Sequence, residues 1–154
     1  EMTTPIMYEE LAKELGIAVG EKADVIKTRE AVLRIRARKG MLLNDSDRDT
    51  YSAGSFFTNP IVAESDIPEG APKYPQGNGT FKTSAAWLIE NSGLSKGQRL
   101  NGAAISSKHV LAITNFENAK AEDIAALAIQ VRDAVKMKFG IDLVPEVNLV
   151  GLSL

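Results

Sequence analysis

The residues best suited to chemistry lie in the segment Gly54 to Pro60, which reads GSFFTNP. It places a hydroxyl beside a glycine and two aromatic rings ahead of an Asn-Pro pair, which is unusual for a segment that only fills a core. If the segment is extended, Ser55, Phe57 and Asn59 point to one face. The two polar residues would then lie about 13 Å apart at roughly 3.3 Å per residue. Side chains at that separation could contact the two ends of an extended ligand.

A purely structural role is the alternative for this segment, and physical reasoning alone favours it. In that interpretation Gly54 forms a turn, Ser55 satisfies a backbone group and the two phenylalanines pack in the core. No histidine and aspartate form a nucleophile pattern with Ser55, and no GxSxG motif surrounds it. A hydrolytic triad is therefore not supported.

Three more polar residues are candidates for a binding or catalytic site. Glu146 follows Pro145 near the end of the chain, Lys39 closes the basic stretch Arg34 to Lys39, and His109 is the single histidine. Each has a structural alternative. The glutamate could be a solvated carboxylate, the lysine could complement a helix dipole, and the histidine could have a surface or packing role.

Composition restricts the classes of function. The chain has 154 residues, of which 44% are hydrophobic, so it can bury a core without staples. A net charge of -2 and a pI near 5.5 argue against nucleic acid as a partner. There is no cysteine, which excludes disulfides and thiolate chemistry. No apolar run reaches the roughly 18 to 20 residues of a membrane span, so we expect a cytoplasmic protein without membrane contacts or metal.

The chain lacks a glycine loop that could cradle a cofactor's phosphates, because no GxGxxG pattern is present. It also begins with Glu1 and Met2. We therefore expect an upstream segment to have been removed, and any cofactor to be bound by that segment or by a partner.

Apolar residues at helical spacing predict four helices. The longest runs from about Ala121 to Phe139, with acidic residues in its first turn and lysines in its last, as the helix dipole prefers. The predicted helices start at Tyr8, near Thr28, after Thr83 or Ser84, and near Ala121, and they stop at Gly16, Gly40, Gly93 and Gly140.

Extended patterning predicts four strands between polar or Pro/Gly-rich loops. In the last of these, Val147 and Leu149 lie on one side, and Glu146 and Asn148 on the other. The sum is an α+β fold, a small mainly antiparallel sheet covered by several helices, in one domain spanning residues 1–154. The predicted strands are Ala53 to Val62, Ala103 to Ile105, Val110 to Thr114 and Ile141 to Leu152, and the long loops are Asn44 to Ser52 and Ala63 to Lys82.

GSFFTNP resembles the GSFFxNP signature of the UDP-N-acetylenolpyruvoylglucosamine reductases, the MurB family. Further segments that resemble this family follow in its order and cover nearly the whole chain from Tyr8 onward. They are LRIRARKG (33–40), AAWLIE (85–90), GAAI (102–105), NAKAED (118–123), KFGI (138–141) and PEVNLVG (145–151).

The resemblance implies a flavoenzyme of peptidoglycan synthesis. In this family NADPH reduces FAD, and hydride then passes to the enolpyruvyl group of UDP-N-acetylglucosamine enolpyruvate, giving UDP-N-acetylmuramate. The chain resembles only the C-terminal, substrate-binding part. The resemblance implies that FAD and NADPH belong to the full-length enzyme, that this fragment is inactive alone, and that the absent FAD-binding region is its partner.

The resemblance also implies residue roles. Ser55 matches the general acid that protonates the substrate carbon next to the carboxylate, and Glu146 matches a glutamate placed beside the reacting double bond. Lys39 matches a lysine that contacts the nucleotide diphosphate, and Asn59 would hydrogen-bond the UDP portion. His109 falls where relatives carry glutamine near the uridine, so here the chain departs from part of the family pattern.

Two rival interpretations stay open beside the oxidoreductase fragment. One is a stand-alone nucleotide-sugar binding or regulatory domain without catalysis, which would bind a UDP-sugar tightly in isolation. The other is a structural or partner-binding domain, supported only by the long amphipathic helix. Loss of a neighbouring domain would also leave an exposed interface, through which we expect the isolated chain to self-associate.

Overall fold

The computed structural model describes residues 1–154 and contains two compact units, Glu1–Leu43 and Asn44–Leu154. Four α-helices and two small antiparallel sheets confirm the predicted α+β class. None of the helices is both long enough and apolar enough to span a bilayer. Each unit is described by itself.

The first unit is a pair of helices, α1 (Glu9–Leu15) and α2 (Val25–Arg38). The prediction for α1 is confirmed, including its stop at Gly16, which adopts the left-handed conformation with φ 69°. The predicted start of α2 near Thr28 is wrong. Asp24 is the N-cap, and its carboxylate accepts the N–H groups two and three residues on. Thr28 lies in the first turn, where its hydroxyl donates to the Asp24 carbonyl oxygen.

Ion pairs join α1 to α2. The Glu14 carboxylate accepts from Arg38 at 2.7 Å and from Arg34 at 2.8 Å. These hydrogen bonds, the one from Arg38 first, lower the pKa of Glu14 from 4.5 to about 2. The two arginines of the basic stretch are thus engaged within their own unit.

The second unit contains two antiparallel sheets. A four-stranded sheet has the order β1-β7-β6-β5, and a three-stranded sheet has the order β2-β4-β3. The strands are β1 (Ser52–Ser55), β2 (Ile61–Ala63), β3 (Tyr74–Pro75), β4 (Thr80–Lys82), β5 (Arg99–Leu100), β6 (Ala103–Ile105) and β7 (Ala112–Asn115).

The predicted single strand from Ala53 to Val62 is wrong, because its two ends belong to different sheets. β1 pairs with β7, whereas β2 pairs with β4. The break begins at Gly54, which has φ 87°, and the register shifts between Ser52 and Ser55. A glycine at positive φ inside a strand is typical of a bulge that redirects the chain.

Two predicted segments next to these strands also differ in the structure. The segment predicted as a loop between Ala63 and Lys82 contains the β3–β4 hairpin, because its glycine-rich tip closes a turn in which Gln76 donates to the Thr80 carbonyl oxygen. The predicted strand from Ile141 to Leu152 is wrong, since only one isolated bridge forms, from Pro145 to Phe57. Proline offers no N–H to continue a ladder.

Two helices cover the core of the second unit, α3 (Ala85–Glu90) and α4 (Ala121–Phe139). Ser84 caps α3 as predicted, and α4 matches its predicted range. The apolar stripe of α4 is buried against the two strands at the centre of the larger sheet, since Leu127, Val131 and Val135 are at most 1% exposed. This packing holds in place the larger sheet, to which β1 belongs.

Candidate functional site

Ser55 is the last residue of β1, and it pairs with Ala112 of β7. The residue is half-buried, and its hydroxyl makes no hydrogen bond within the chain. Because no buried side-chain polar atom lacks a partner, the Ser55 Oγ atom must be reachable from solvent. The predicted alternative, in which Ser55 satisfies a backbone group, is therefore wrong, and the hydroxyl is available to a ligand.

The backbone of Phe56 joins three segments of the chain. Its N–H donates to the Leu111 carbonyl oxygen at 2.7 Å, and its carbonyl oxygen accepts the Glu146 N–H at 2.8 Å. The ring is 5% exposed and lies 5.0 Å from that of Phe57, which is 2% exposed. Both phenylalanines therefore pack in the core, as the structural alternative predicted, and the strict alternation expected from Ser55 to Asn59 does not hold.

Glu146 lies beside this junction in an irregular, extended segment. Its backbone N–H is held by Phe56, the residue that follows Ser55, and its side chain is exposed. The predicted alternation of the segment is confirmed, because Val147 and Leu149 pack against the core whereas Glu146 is exposed. The structure thus brings Ser55 and Glu146 to neighbouring backbone positions although 90 residues lie between them in sequence.

His109 lies in the turn between β6 and β7. Its Nδ1 atom accepts the Leu111 N–H at 3.3 Å, and its own N–H donates to the Ser106 Oγ atom at 3.1 Å. Since Leu111 also accepts from Phe56, the histidine is linked to the Phe56 junction.

Two aspartates brace the turn that carries His109, and sequence reasoning missed both. The Asp49 carboxylate is 7% exposed and accepts the Ser107 N–H at 2.9 Å and the Ser107 hydroxyl at 2.7 Å. Asp47 pairs with Lys108, and the hydrogen bond from that lysine lowers the pKa of the Asp47 carboxyl. The loop that leads into β1 is thereby fixed to the turn.

Asn59 lies on a cleft of about 940 Å³. Its Oδ1 atom accepts the Ala85 N–H at 2.9 Å, so half of its amide group holds the start of α3. The cleft also carries the carboxylates of Asp66 and Asp142 and no lining cation. The other lining residues are Thr58, Pro60, Ile61, Val62, Ser65, Phe139, Gly140, Ile141 and Val144.

Lys39 belongs to the first unit, where it is the C-cap of α2. Its Nζ atom pairs with the Glu10 Oε2 atom at 2.5 Å. This position suits the alternative in which the lysine complements the helix dipole. The predicted contact with a diphosphate stays a prediction.

The residues described so far also determine which prosthetic groups could be held. No group of three or more His, Cys, Asp or Glu side chains is arranged to hold a metal ion. The chain also lacks a GxGxxG loop that could cradle the phosphates of a dinucleotide such as FAD.

Sequence comparisons identify the family of the chain. Residues 46–150 match the family described as UDP-N-acetylenolpyruvoylglucosamine reductase, C-terminal domain. This match defines an α+β C-terminal domain of a reductase. The chain belongs to the UDP-N-acetylenolpyruvoylglucosamine reductase family.

Curated relatives carry the same name. The protein from Cutibacterium acnes is 50% identical over 97% of this chain and 41% of its own length. Those from Mycolicibacterium gilvum and Thermobifida fusca are 46% and 44% identical, over 99% and 100% of this chain and 46% and 47% of their own lengths. The chain thus spans less than half the length of these relatives.

Proposed function

We propose that this chain is the substrate-binding part of a cytoplasmic, NADPH-using and FAD-dependent reductase of peptidoglycan synthesis. The whole enzyme would convert UDP-N-acetylglucosamine enolpyruvate to UDP-N-acetylmuramate, with hydride passing from NADPH by way of FAD. The chain itself would bind the substrate and donate the proton. Family membership supports this class of reaction, and the name shared by the relatives supports the substrate proposed here.

The observation that carries the proposal is the junction at Phe56. It holds Ser55, Glu146 and the His109 turn to one backbone position, and it leaves the Ser55 hydroxyl accessible and without a partner. A proton donor must reach the reacting atom within hydrogen-bond distance. A hydroxyl already bonded to the protein would first have to break that contact.

A serine hydroxyl is a very weak acid, so it can protonate only a strongly basic atom. After hydride addition the carbon next to the substrate carboxylate has enolate or carbanion character. Ser55 would donate its Oγ proton to this carbon, forming the new C–H bond and leaving an alkoxide that solvent reprotonates. Proton donation of this kind contributes about 10² to 10⁴ in rate.

The remaining predicted residues would orient the substrate. Glu146 would lie beside the enolpyruvyl double bond and stabilise the enolic form of the carboxyl group. Asn59 would offer its Nδ2 group to the UDP portion, because its Oδ1 atom is engaged by Ala85. His109 would contact the uridine. Lys39 would contact the diphosphate as a point charge, in exchange for its pairing with Glu10.

FAD would be bound outside this chain, since the chain lacks a glycine loop that could cradle its phosphates. The region of the full-length relatives that lies beyond this chain is its expected site, and the fragment alone is expected to be inactive. When bound, FAD supplies the hydride chemistry that no side chain here provides.

Turnover by the full-length protein tests the proposal. NADPH consumption, followed by its absorbance, should require UDP-N-acetylglucosamine enolpyruvate. The matched control is UDP-N-acetylglucosamine, which lacks only the enolpyruvyl group and should support no consumption. Equal NADPH consumption with both compounds, or with neither, would rule out the proposed reaction.

A further inference from the structure

Residues 1–43 form a compact unit that the C-terminal domain family does not include. The division between the units falls at Leu43 and Asn44, and the family match begins at residue 46. The curated relatives nevertheless align over 97% to 100% of this chain, so the first unit is part of those proteins as well. Two independent observations therefore separate residues 1–43 from the C-terminal domain.

The first unit has too little core to be a domain by itself. Its buried hydrophobic residues are one isoleucine and three alanines: Ile6, Ala12, Ala23 and Ala31. None of them belongs to the main hydrophobic cluster. Units of about 40 residues rarely hold together on so little buried area. The first unit therefore needs further apolar contacts.

The surface of the first unit is correspondingly apolar. Nine of the chain's fourteen exposed large hydrophobic residues lie in these 43 residues, a concentration typical of a face that another part of a protein covers. They are Met2, Met7, Tyr8, Val19, Val25, Ile26, Val32, Leu42 and Leu43.

A groove of about 440 Å³ between α1 and α2 lies on this surface. Tyr8 and Leu11 line one side, and Val32 and Ile35 line the other. The charged residues that border the groove are Glu9, Glu10 and Arg36. Two of them are already engaged within the unit, Glu10 by Lys39 and Arg36 by the Met41 carbonyl oxygen. The groove therefore suits an apolar segment rather than a charged ligand.

We infer that residues 1–43 are the last part of the domain that precedes the C-terminal domain, and that the α1–α2 groove receives an apolar segment of that preceding domain. More than half of each compared relative lies outside the aligned region, which supplies the required polypeptide. The domain boundary then lies near Leu43, which revises the prediction that residues 1–154 are one C-terminal domain. The inference rests on the proposed function in one respect, that the preceding domain is the flavin-binding region.

Thiol labelling of the groove tests the inference, because the chain contains no cysteine. Val32→Cys places a thiol in the groove at a position that is 37% exposed. The control is Lys27→Cys, an exposed position of α2 that does not line the groove. The labelled peptide is quantified by mass spectrometry in the 154-residue chain and in the full-length protein that includes the preceding region.

The labelling rate of Val32→Cys should be at least about tenfold lower in the full-length protein than in the 154-residue chain, whereas Lys27→Cys should change less than about twofold. Equal rates for Val32→Cys in the two proteins would overturn the inference. A rate for the full-length protein that falls only as its concentration rises would also overturn it, by identifying a second copy as the occupant. Labelling does not depend on turnover, so this result is separable from a failure of the proposed reaction.

Discussion

Asp49 is the buried carboxylate that holds the turn bearing His109, and its removal should destabilise the second unit. Asp49→Ala deletes two hydrogen bonds from Ser107. Hydrogen bonds to a charged group contribute about 1.5 to 3 kcal/mol each, and the lower figure applies because Ser107 is exposed and water can replace the lost acceptor. The expected loss in the free energy of unfolding is about 3 kcal/mol.

Urea unfolding followed by Trp87 fluorescence measures this loss, because Trp87 is the only tryptophan and lies in the same unit. With a urea dependence of about 2 kcal/mol per molar, the midpoint of Asp49→Ala should fall by about 1.5 M. Asp49→Asn keeps an acceptor for the Ser107 N–H, so its midpoint should fall by only about 0.5 M.

Asp45→Ala is the matched control, because Asp45 lies in the same loop and its exposed carboxylate makes no hydrogen bond or ion pair. Its midpoint should stay within about 0.2 M of the unsubstituted chain. If Asp49→Ala behaved like this control, the brace would contribute nothing and the reasoning would be refuted.

Two further predictions concern packing and pH. Gly102→Ala would place a Cβ atom 2.6 Å from the Glu117 carbonyl oxygen. We expect the free energy of unfolding to fall by about 1 to 3 kcal/mol, and the melting temperature measured by calorimetry to fall by several degrees. An unchanged melting temperature would contradict the clash. Glu14 has a folded pKa of about 2, below its ordinary 4.5, so its ionised form stabilises the first unit above pH 4.5 and this contribution is lost as the pH falls through 2. An NMR titration should therefore give a carboxyl midpoint near 2 that moves up toward 4.5 in Arg38→Ala, and a midpoint near 4.5 in the unsubstituted chain would show that the ion pair does not form in solution.

Elements defined by local sequence were predicted well. The helix Ala121–Phe139 matched at both ends because a long apolar stripe, an acidic first turn and Gly140 all indicate the same boundaries. The start of α2 was placed too late because Thr28 and Asp24 are both good N-caps, and pattern alone does not choose between them.

Features that depend on distant pairing could not be predicted. GSFFTNP was predicted to lie in a single strand. Nothing in the local sequence indicates that Ser52–Ser55 and Ile61–Ala63 pair with different strands. The Asp49 brace joins residues 58 positions apart within what sequence shows only as a polar loop. Likewise, the bridge between Phe57 and Pro145 joins two segments that are distant in the sequence.

The predicted site is partly assembled by these distant contacts. Ser55 and Glu146 were identified from separate motifs, and the backbone of Phe56 brings them to adjacent positions. Asn59 was identified as a ligand contact, and the structure gives it a second task at the start of α3.

Reoxidation of the pre-reduced full-length protein by the enolpyruvyl substrate tests the proton-donor role of Ser55 most directly. In stopped-flow measurements Ser55→Ala should be reduced by NADPH within about twofold of the normal rate, and its reoxidation should slow by about 100-fold or more. The control is Ser52→Ala, whose hydroxyl lies in the same strand and accepts the Gly54 N–H; it should reoxidise at nearly the normal rate. Normal reoxidation of Ser55→Ala would contradict the role assigned to this hydroxyl.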